Sequence, residues 1–361
     1  MADSPLGLKP DFAQAAERWE AFWNGEMLDR PPIAITCPAE GVEHVGRPNY
    51  RQQAFDDLDK LVAQVDAAMH SVHWGGDAMP QFSPSFGPDN FACFIGAELA
   101  WSADEQINTS WAVNCVERWE DVLPLHIHED GRWWTRMLQY MRKLAAVGEG
   151  KWLVSHIDMH SNMDALVSIR GATPLCLDLY TQTELVAQAN DQVNAMYPVM
   201  TDRLFEAGQM ARCGTGAGWI GAYCAGKCNT TQCDFAALIG PEHFRQFVTP
   251  GLEIESTHLD HCIYHWDGPT ALVHIDDLMS IEGIDCIQWV PGAGNPTHIH
   301  WLDLLRRIQN VRKGVWLDVP ADEAKAIAKE LRPEGVFYNI CGGVDTEKEA
   351  RDLLEWFRKN T

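Results

Sequence analysis

The sequence predicts a (β/α)8 barrel, the TIM-barrel fold of the α/β class, with an N-terminal helical extension. The second half alternates short apolar strands with amphipathic helices without interruption, which is the pattern of parallel β/α units. Together with candidates in the first half, these strands number about eight, enough to close such a barrel. A length of 361 residues lies in the range that this fold fills as one unit. We therefore expect a single domain over residues 1–361.

Eight short apolar runs are the predicted strands: residues 33–36, 91–95, 152–157, 217–223, 262–265, 284–290, 315–319 and 336–341. Apolar residues recur at helical spacing in the predicted helices, which are residues 11–24, 52–70, 134–147, 183–207, 241–259, 270–281, 299–312, 321–332 and 345–358. Residues 1–30 make up the helical extension. Residues 75–134 are rich in glycine, proline and aromatics, and we expect an elaborated loop region there.

The charge balance restricts the partners. There are 51 acidic and 28 basic residues, and the formal net charge is −23. Such a chain repels nucleic acid and anionic membrane surfaces. Residues 1–10 lack the pattern of a signal peptide, and no apolar run is long enough to span a membrane, so we expect a cytoplasmic protein.

The eleven cysteines are expected to be reduced, because their number is odd and they are scattered over a long sequence without a signal peptide. Four of them, Cys213, Cys224, Cys228 and Cys233, lie close together in sequence. Their spacing contains no C-x2-C pair, which favours structural thiols over a metal or iron–sulfur site.

Catalytic groups of a barrel lie just past the ends of its strands, which singles out His156, Asp158 and His265. Histidine titrates near neutral pH and suits proton transfer, although His156 can equally be a hydrogen-bonded core residue. His265, Asp267 and Cys341 offer nitrogen, oxygen and sulfur ligands from two strand ends, a set that zinc accepts. The alternative is that these three are polar groups at the barrel rim.

Aromatic and amide side chains also follow the predicted strands. Trp219, Trp266 and Trp289 are expected to form the wall of a substrate pocket, with Tyr223 and Gln288 as further contacts. Such a wall suits an aromatic methyl ether or a quaternary amine. The alternative is that the tryptophans cap the top layer of the barrel.

Two segments resemble the uroporphyrinogen decarboxylase superfamily. One runs from Asp234-Phe235 through Pro241-Glu242-His243-Phe244 to Pro250, and the other is Tyr264-His265-Trp266-Asp267-Gly268. Asp29-Arg30-Pro31-Pro32-Ile33 is similar to the approach to that family's first strand. The resemblance implies a (β/α)8 barrel. Members include the cofactor-free decarboxylase of haem synthesis and zinc-dependent methyltransferases that use corrinoids, coenzyme M or tetrahydrofolate.

The methyltransferase branch implies a zinc site in which His265 and Cys341 match two ligands of the family. Asp267 stands where that branch has a cysteine, which makes the ion a harder Lewis acid and puts thiol substrates in doubt. The decarboxylase branch implies a basic loop for an octa-anionic substrate. This chain offers only Arg47 and Arg51 there, which disfavours that activity.

The leading hypothesis is a zinc-dependent methyltransferase acting on a small molecule, with a corrinoid, carried by a corrinoid protein, or tetrahydrofolate as methyl carrier. The first alternative is a metal-free decarboxylase or lyase that uses strand-end His and Asp residues. The second is a non-catalytic barrel that binds a small molecule. Exposed aromatics would also suit a homodimer.

Overall fold

The computed structural model describes residues 4–102 and 109–361. Its strands are β1 (Ile33–Pro38), β2 (Val72–Gly76), β3 (Gln81–Phe82), β4 (Leu99–Trp101), β5 (Ser110–Ala112), β6 (Leu153–Val154), β7 (Thr215–Gly216), β8 (Tyr223–Cys224), β9 (Cys228–Gln232), β10 (His261–Asp267), β11 (Cys286–Val290), β12 (Gly314–Val319) and β13 (Val336–Ile340).

The α-helices are α1 (Phe12–Trp23), α2 (Tyr50–Phe55), α3 (Leu58–His70), α4 (Asn90–Phe94), α5 (Arg132–Gly148), α6 (Asn162–Arg170), α7 (Ala172–Thr181), α8 (Thr183–Ala207), α9 (Pro241–His243), α10 (Thr249–His258), α11 (Ile275–Ser280), α12 (Leu302–Asn310), α13 (Ala321–Ile327) and α14 (Glu347–Asn360). A π-helical turn at Phe244–Val248 joins α9 to α10. Short 3-10 helices occupy Trp119–Asp121, Met210–Arg212, Asp234–Leu238, Pro269–His274 and His298–Trp301.

A seven-stranded sheet in the order β2-β1-β13-β12-β11-β10-β9 forms most of the wall of the barrel. All neighbouring pairs in it are parallel except β1 and β2. The parallel pair of β3 and β6 continues the wall. The hairpin of β7 and β8 lies between β6 and β9, because the Gly216 oxygen accepts from the His156 amide and the Ala217 oxygen accepts from the Thr230 hydroxyl. The predicted TIM-barrel-like α/β fold is confirmed.

Helix α1 closes the amino end of the barrel. The ring of Trp19 is buried and stacks on Phe337 of β13, with ring centroids 4.5 Å apart, and on Trp316 of β12 at 6.0 Å. Trp316 and Phe337 are register partners on adjacent strands. The amino end of the barrel interior is therefore filled by an aromatic plug of Trp19, Trp316 and Phe337. The space for a ligand lies toward the carboxyl ends of the strands.

A buried ionic cluster around Asp77 connects this plug to the first strand. The Asp77 carboxylate accepts from Arg30 at 2.5 Å, from Arg18 at 3.2 Å and from the backbone amide of Ile33 at 2.8 Å. The Asp77 side chain is fully buried. The Asp77 backbone oxygen also accepts from the indole nitrogen of Trp19. One residue thus joins α1, the start of β1 and the segment after β2.

Two predicted strands are wrong. Residues 91–95 were expected to be a strand, but 90–94 form the buried helix α4, since a five-residue apolar run fits a buried helix as well as a strand. In 217–223, Gly218 and Gly221 have φ angles of 54° and 82°, which turn the chain between β7 and β8. The barrel strand of this region is β9, whose polar sequence CNTTQ does not read as a buried strand.

No helix in the described ranges has the length and apolar character needed to cross a bilayer.

We expect Asp77→Asn to lower the free energy of unfolding by about 3–5 kcal/mol, because it leaves the buried Arg30 guanidinium without its carboxylate. Urea unfolding measures the change. The matched control is Asp29→Asn, which removes a partly exposed partner of Arg18 and should cost about 1 kcal/mol or less. Equal effects of the two substitutions would contradict this role for Asp77.

Candidate functional site

A cavity of about 620 Å³ opens at the carboxyl ends of the strands. We call it the mouth cavity. Its lining includes Ala34, Thr36, Gln81, Asp158, Trp219 and Asn339. The volume lies within the range of small-molecule sites, and the carboxyl end is where barrel enzymes place their chemistry. The mouth cavity is therefore the candidate active site.

Four polar side chains at consecutive strand ends form a hydrogen-bonded row beside the mouth cavity. His265 Nδ1 lies 2.7 Å from Gln288 Oε1, and Gln288 Nε2 donates to Asp318 Oδ2 at 2.5 Å. Asn339 Nδ2 donates to Asp318 Oδ1 at 2.6 Å. We call His265, Gln288, Asp318 and Asn339 the strand-end row. It runs across β10, β11, β12 and β13.

The Asp318 carboxylate fixes which groups donate and which accept in the hydrogen bonds of the strand-end row. A carboxylate accepts hydrogen bonds only, so the amide nitrogen of Gln288 must face Asp318 and the amide oxygen must face His265. The proton of a neutral His265 ring then lies on Nδ1. No described residue hydrogen-bonds Nε2, which keeps its lone pair for a substrate, a proton or a metal. The indole of Trp219 lies edge-on to this ring, with centroids 5.6 Å apart.

Asp158 brings an acid into the mouth cavity. Its Oδ1 atom is buried and has no hydrogen-bond partner. Burial raises the pKa of Asp158 to about 6, against the charges of His160 and His265, which lower it. A carboxyl group with this pKa can both accept and return a proton near neutral pH.

A second cluster lies on the same side of the barrel, at His160, Asp164 and Asp234. One ligand atom of each lies within 4.8 Å of the others, and it is the one group of this kind in the part of the chain that the structure describes. His160 Nδ1 lies 3.2 Å from Asp89 Oδ1, and Nε2 lies 3.8 Å from Asp234 Oδ2.

The electrostatics of this cluster favour an ionic junction over a metal site. Burial alone would lower the pKa of His160, but the hydrogen bond to Asp89 and the charges of the neighbouring acids raise it to about 10. The ring is therefore an imidazolium at neutral pH, and a metal would first have to displace a proton. Asp164 already accepts from the backbone amides of Asp234 and Phe235.

A buried acid supports the loop that carries these groups. Glu255 of α10 is fully buried, and its Oε1 accepts from Asn162 Nδ2 at 3.1 Å while its Oε2 has no partner. The same amide nitrogen donates to the backbone oxygen of Gln232 at the end of β9. Burial raises the pKa of Glu255 to about 8. The loop after β6 is thus tied to β9 and α10 through a carboxyl group that is neutral at pH 7.

The structure brings four of the predicted site residues together. Asp158 and Trp219 line the mouth cavity, and His265 and Gln288 form half of the strand-end row. Trp266 and Trp289 lie on the opposite face of β10 and β11, contrary to the expectation of an aromatic wall. Their rings are buried against each other with centroids 5.4 Å apart, and the centroids of the Trp289 and Trp301 rings are 5.0 Å apart. Alternate residues of a strand point to opposite faces, so His265 and Trp266 cannot share one.

Tyr223 lies at the other end of the barrel from the mouth cavity, contrary to the expectation that it contacts substrate. Its ring packs edge-on against Phe12, with ring centroids 5.7 Å apart, and its backbone oxygen accepts a hydrogen bond from the indole of Trp23. Both partners belong to α1, which closes the amino end. The short hairpin of β7 and β8 turns the chain back, so that its second strand ends far from the mouth.

His156 occupies the core. It is fully buried, its Nδ1 accepts from the Ile157 amide and lies 2.9 Å from Asn229 Nδ2, and burial lowers its pKa to about 4. Of the two readings that the sequence left open, this placement favours the core histidine over the catalytic one.

The predicted zinc ligands lie at the same edge of the sheet but are not assembled. Asp267 and Cys341 are exposed at the ends of β10 and β13, with two strands between them. Strands spaced by about 4.8 Å put these ends on the order of 14 Å apart along the wall. Burial and the charge of Asp318 also raise the pKa of the Cys341 thiol. The zinc site on His265, Asp267 and Cys341 stays a prediction.

All eleven cysteines are free thiols in the structure. Cys224, Cys228 and Cys233 are buried. Burial raises the pKa of the Cys228 and Cys233 thiols well above the usual value, which keeps them protonated. These properties suit structural thiols, as the sequence indicated.

Asp318, Asn339, Asp164 and Asp234 were not selected from the sequence as site residues, whereas His160 was weighed beside His156 and Asp158 as a group for substrate contact or proton transfer. A usable signal was present for the first two, because each is a polar residue at the end of an otherwise apolar strand. His160 and Asp164 gave a weaker signal, since their partners Asp89 and Asp234 lie far away in sequence.

No family profile matches the sequence, and no curated protein matches it. Among solved structures, a methyltransferase from Methanosarcina mazei superimposes with a TM-score of 0.62 at 16% identity, covering 96% of this chain and 98% of its own. A B12-independent methionine synthase from Shewanella sp. W3-18-1 gives a TM-score of 0.47 at 11% identity, over 83% of this chain and 88% of its own. At these identities the first likeness shows that the fold is shared.

We expect Glu255→Gln to stabilise the protein increasingly as pH rises from about 5 to 8. The native state holds a proton on Glu255 that the unfolded chain releases above its ordinary pKa of 4.5, so the wild type loses stability through this window. The gain should reach on the order of 4 kcal/mol near pH 8 and vanish near pH 4. Thermal unfolding across pH measures it.

Glu253→Gln on the exposed side of the same helix is the control and should change little at any pH. A Glu255→Gln variant whose stability relative to the wild type does not rise between pH 5 and pH 8 would contradict a protonated Glu255 in the native protein.

Proposed function

We propose that this protein is a methyl-transfer enzyme of the uroporphyrinogen decarboxylase superfamily that acts on a small molecule in the mouth cavity. Support comes from the fold shared with the Methanosarcina mazei methyltransferase over nearly the whole chain. The observation that carries the proposal is the strand-end row, which holds the His265 ring in one orientation beside Trp219 and near Asp158.

Asp158 provides the mouth cavity with a group that can transfer a proton. When a substrate group X–H accepts a methyl group, a new X–C bond forms, the bond from methyl to its carrier breaks, and X–H must lose its proton. Asp158 has a buried oxygen without a partner and a pKa of about 6, so it can take that proton. In the reverse direction the same carboxyl group returns the proton to the leaving atom.

The remaining residues bind and orient. The Nε2 lone pair of His265 can hold a polar substrate atom or a ligand, and the indole of Trp219 lies edge-on to this ring. The hydrogen bond to the Asp318 carboxylate holds the Gln288 amide in place, and Gln288 in turn keeps the His265 ring from rotating during the reaction.

We also propose that His265, Asp267 and Cys341 bind zinc. Their side chains are of the types that bind zinc, but in this structure they do not lie close enough together to bind one ion. Nitrogen, oxygen and sulfur donors suit zinc, and a metal there would act as a Lewis acid on the reacting atom. The donors are not gathered in this structure, and the proton transfer to Asp158 does not involve the metal. A corrinoid, alone or on a corrinoid protein, or tetrahydrofolate remains the proposed methyl carrier.

A second candidate is metal-free decarboxylation or lyase chemistry. The cavity position and raised pKa of Asp158 favour it as much as they favour methyl transfer. The buried position of His156 removes one of the acid–base residues that this hypothesis used.

Methyl transfer is tested by incubating the purified protein with methylcobalamin or methyltetrahydrofolate and a panel of small alcohols, phenols, amines and acids, with and without added zinc. We expect acceptor-dependent loss of the methyl group from one carrier, followed by absorbance or by mass spectrometry of the product. Asp158→Asn should lower kcat by about 10²- to 10⁴-fold, because it removes the proton acceptor.

The control is Asp322→Asn, which alters a fully exposed carboxylate on α13 and should leave kcat unchanged. Release of carbon dioxide from an acid in the panel, without turnover of either carrier, would favour the lyase alternative and contradict methyl transfer.

A further inference from the structure

The loop after β6, which carries Asp158, is tied to the start of helix α4. Asn90 Nδ2 donates to the backbone oxygen of Asp158 at 3.1 Å. The next residue, Phe91, donates its backbone amide to the backbone oxygen of Met159 at 3.2 Å. Asn90 and Phe91 are both fully buried. Two adjacent residues of a buried helix thus hold two adjacent backbone oxygens of the loop.

The following residue of the loop is held from the same side. Asp89 Oδ1 lies 3.2 Å from Nδ1 of His160, and Asp89 immediately precedes Asn90 in the chain. His160 has a φ angle of 43°, in the left-handed region that a residue other than glycine keeps only when its neighbours hold it there. Residues 89–91 therefore hold residues 158–160 in a backbone conformation that the loop would not keep by itself.

The Asn90 side chain has one possible orientation. Its Nδ2 atom faces the backbone oxygens of Asp158 and of Gly87, the latter at 2.7 Å, and a carbonyl oxygen accepts hydrogen bonds only. Its Oδ1 atom accepts from the backbone amide of Phe86 at 3.3 Å. One amide group thus joins the turn before α4 to the loop after β6.

We propose that Asn90 is a positioning residue, which holds the Asp158 carboxyl group in the place from which it exchanges a proton with the substrate. The hydrogen bond to the backbone oxygen fixes the backbone of Asp158, and with it the direction in which the side chain leaves the loop. Asn90 itself does not line the mouth cavity. The proposal rests on the proposed function in one respect, namely that Asp158 is the group that transfers the proton.

A change at Asn90 can be separated from a change in the charges around Asp158. The charged and titratable groups that act on this carboxyl group belong to its own loop, to β10, to the segment after β9 and to α2: His160, His265, Asp234 and Tyr50. None of these side chains hydrogen-bonds Asn90. A neutral substitution at Asn90 leaves all of these groups in the chain, so it acts on Asp158 through the position of the loop.

The intact protein tests this with Asn90→Ala and with Asn90→Ser, which keeps a polar group one bond shorter than the amide. Carbon-13 NMR of the aspartate carboxyl groups, assigned by comparison with Asp158→Asn, follows the titration of Asp158. We expect its pKa of about 6 to fall by about one unit toward the ordinary 3.8 in both variants, because the carboxyl group leaves its buried position. In the methyl-transfer assay, kcat should fall by about 10- to 100-fold, with KM changed less than about threefold.

Gln309→Ala is the matched control. Gln309 is a buried amide before β12, whose Nε2 donates to the backbone oxygen of Arg332 at 2.8 Å. The substitution removes a comparable hydrogen bond far from the loop, and it should leave kcat and the pKa of Asp158 as in the wild type. Circular dichroism and urea unfolding compare the folding of all variants.

Three results would overturn the proposal. The first is an Asp158 pKa that neither Asn90 variant changes, and the second is an equal response to Asn90→Ala and Gln309→Ala. The third needs no variant and is rapid hydrogen exchange of the Asn90 side-chain amide in the wild type, which would show that these hydrogen bonds are not kept. The titration uses no methyl carrier, so a shifted Asp158 pKa without methyl transfer would count against the proposed function alone.

Discussion

The candidate site depends on the hydrogen bonds that the Asp318 carboxylate accepts. Gln288, Asn339 and the indole of Trp316 all donate to it, at 2.5, 2.6 and 3.1 Å. An acceptor in the centre of the row leaves the Gln288 amide one orientation, and that orientation leaves the His265 ring one neutral tautomer. A single carboxylate at the end of β12 thereby decides which nitrogen of the neutral His265 ring on β10 carries the proton.

The parallel strands make this arrangement possible. Register pairs His265 with Gln288 and Asp318 with Asn339, so that the polar ends of four strands lie side by side. Below them Trp316 and Phe337 pack on Trp19 of α1, which closes the barrel with apolar surface. Asp77 holds α1 in place through Arg18 and the indole of Trp19. The polar layer is thus supported from beneath by a rigid aromatic layer.

Much of this architecture could be predicted from the sequence, and the failures have physical causes. Strands β10 to β13 are apolar runs bounded by glycine, proline or charged residues, which is why their positions were predicted well. The orientation of Trp266 and Trp289 was not, because shifting a strand by one residue exchanges its faces and local sequence does not determine that parity. Strand β9 was missed because its threonines and asparagine suit a barrel wall only when neighbouring strands supply partners. The partners of His160 lie about 70 residues away on either side, beyond any local pattern.

The protonation pattern of the His265 ring, read from its ¹⁵N chemical shifts in the wild type and in Asp318→Asn, tests whether the Asp318 carboxylate orients the strand-end row. We expect the neutral ring of the wild type to carry its proton on Nδ1. In the variant, an amide at 318 can donate to Gln288, so that Gln288 reverses and the proton moves toward Nε2. A wild-type His265 ring protonated on Nε2, or a proton position that the Asp318→Asn substitution does not change, would contradict this role of Asp318.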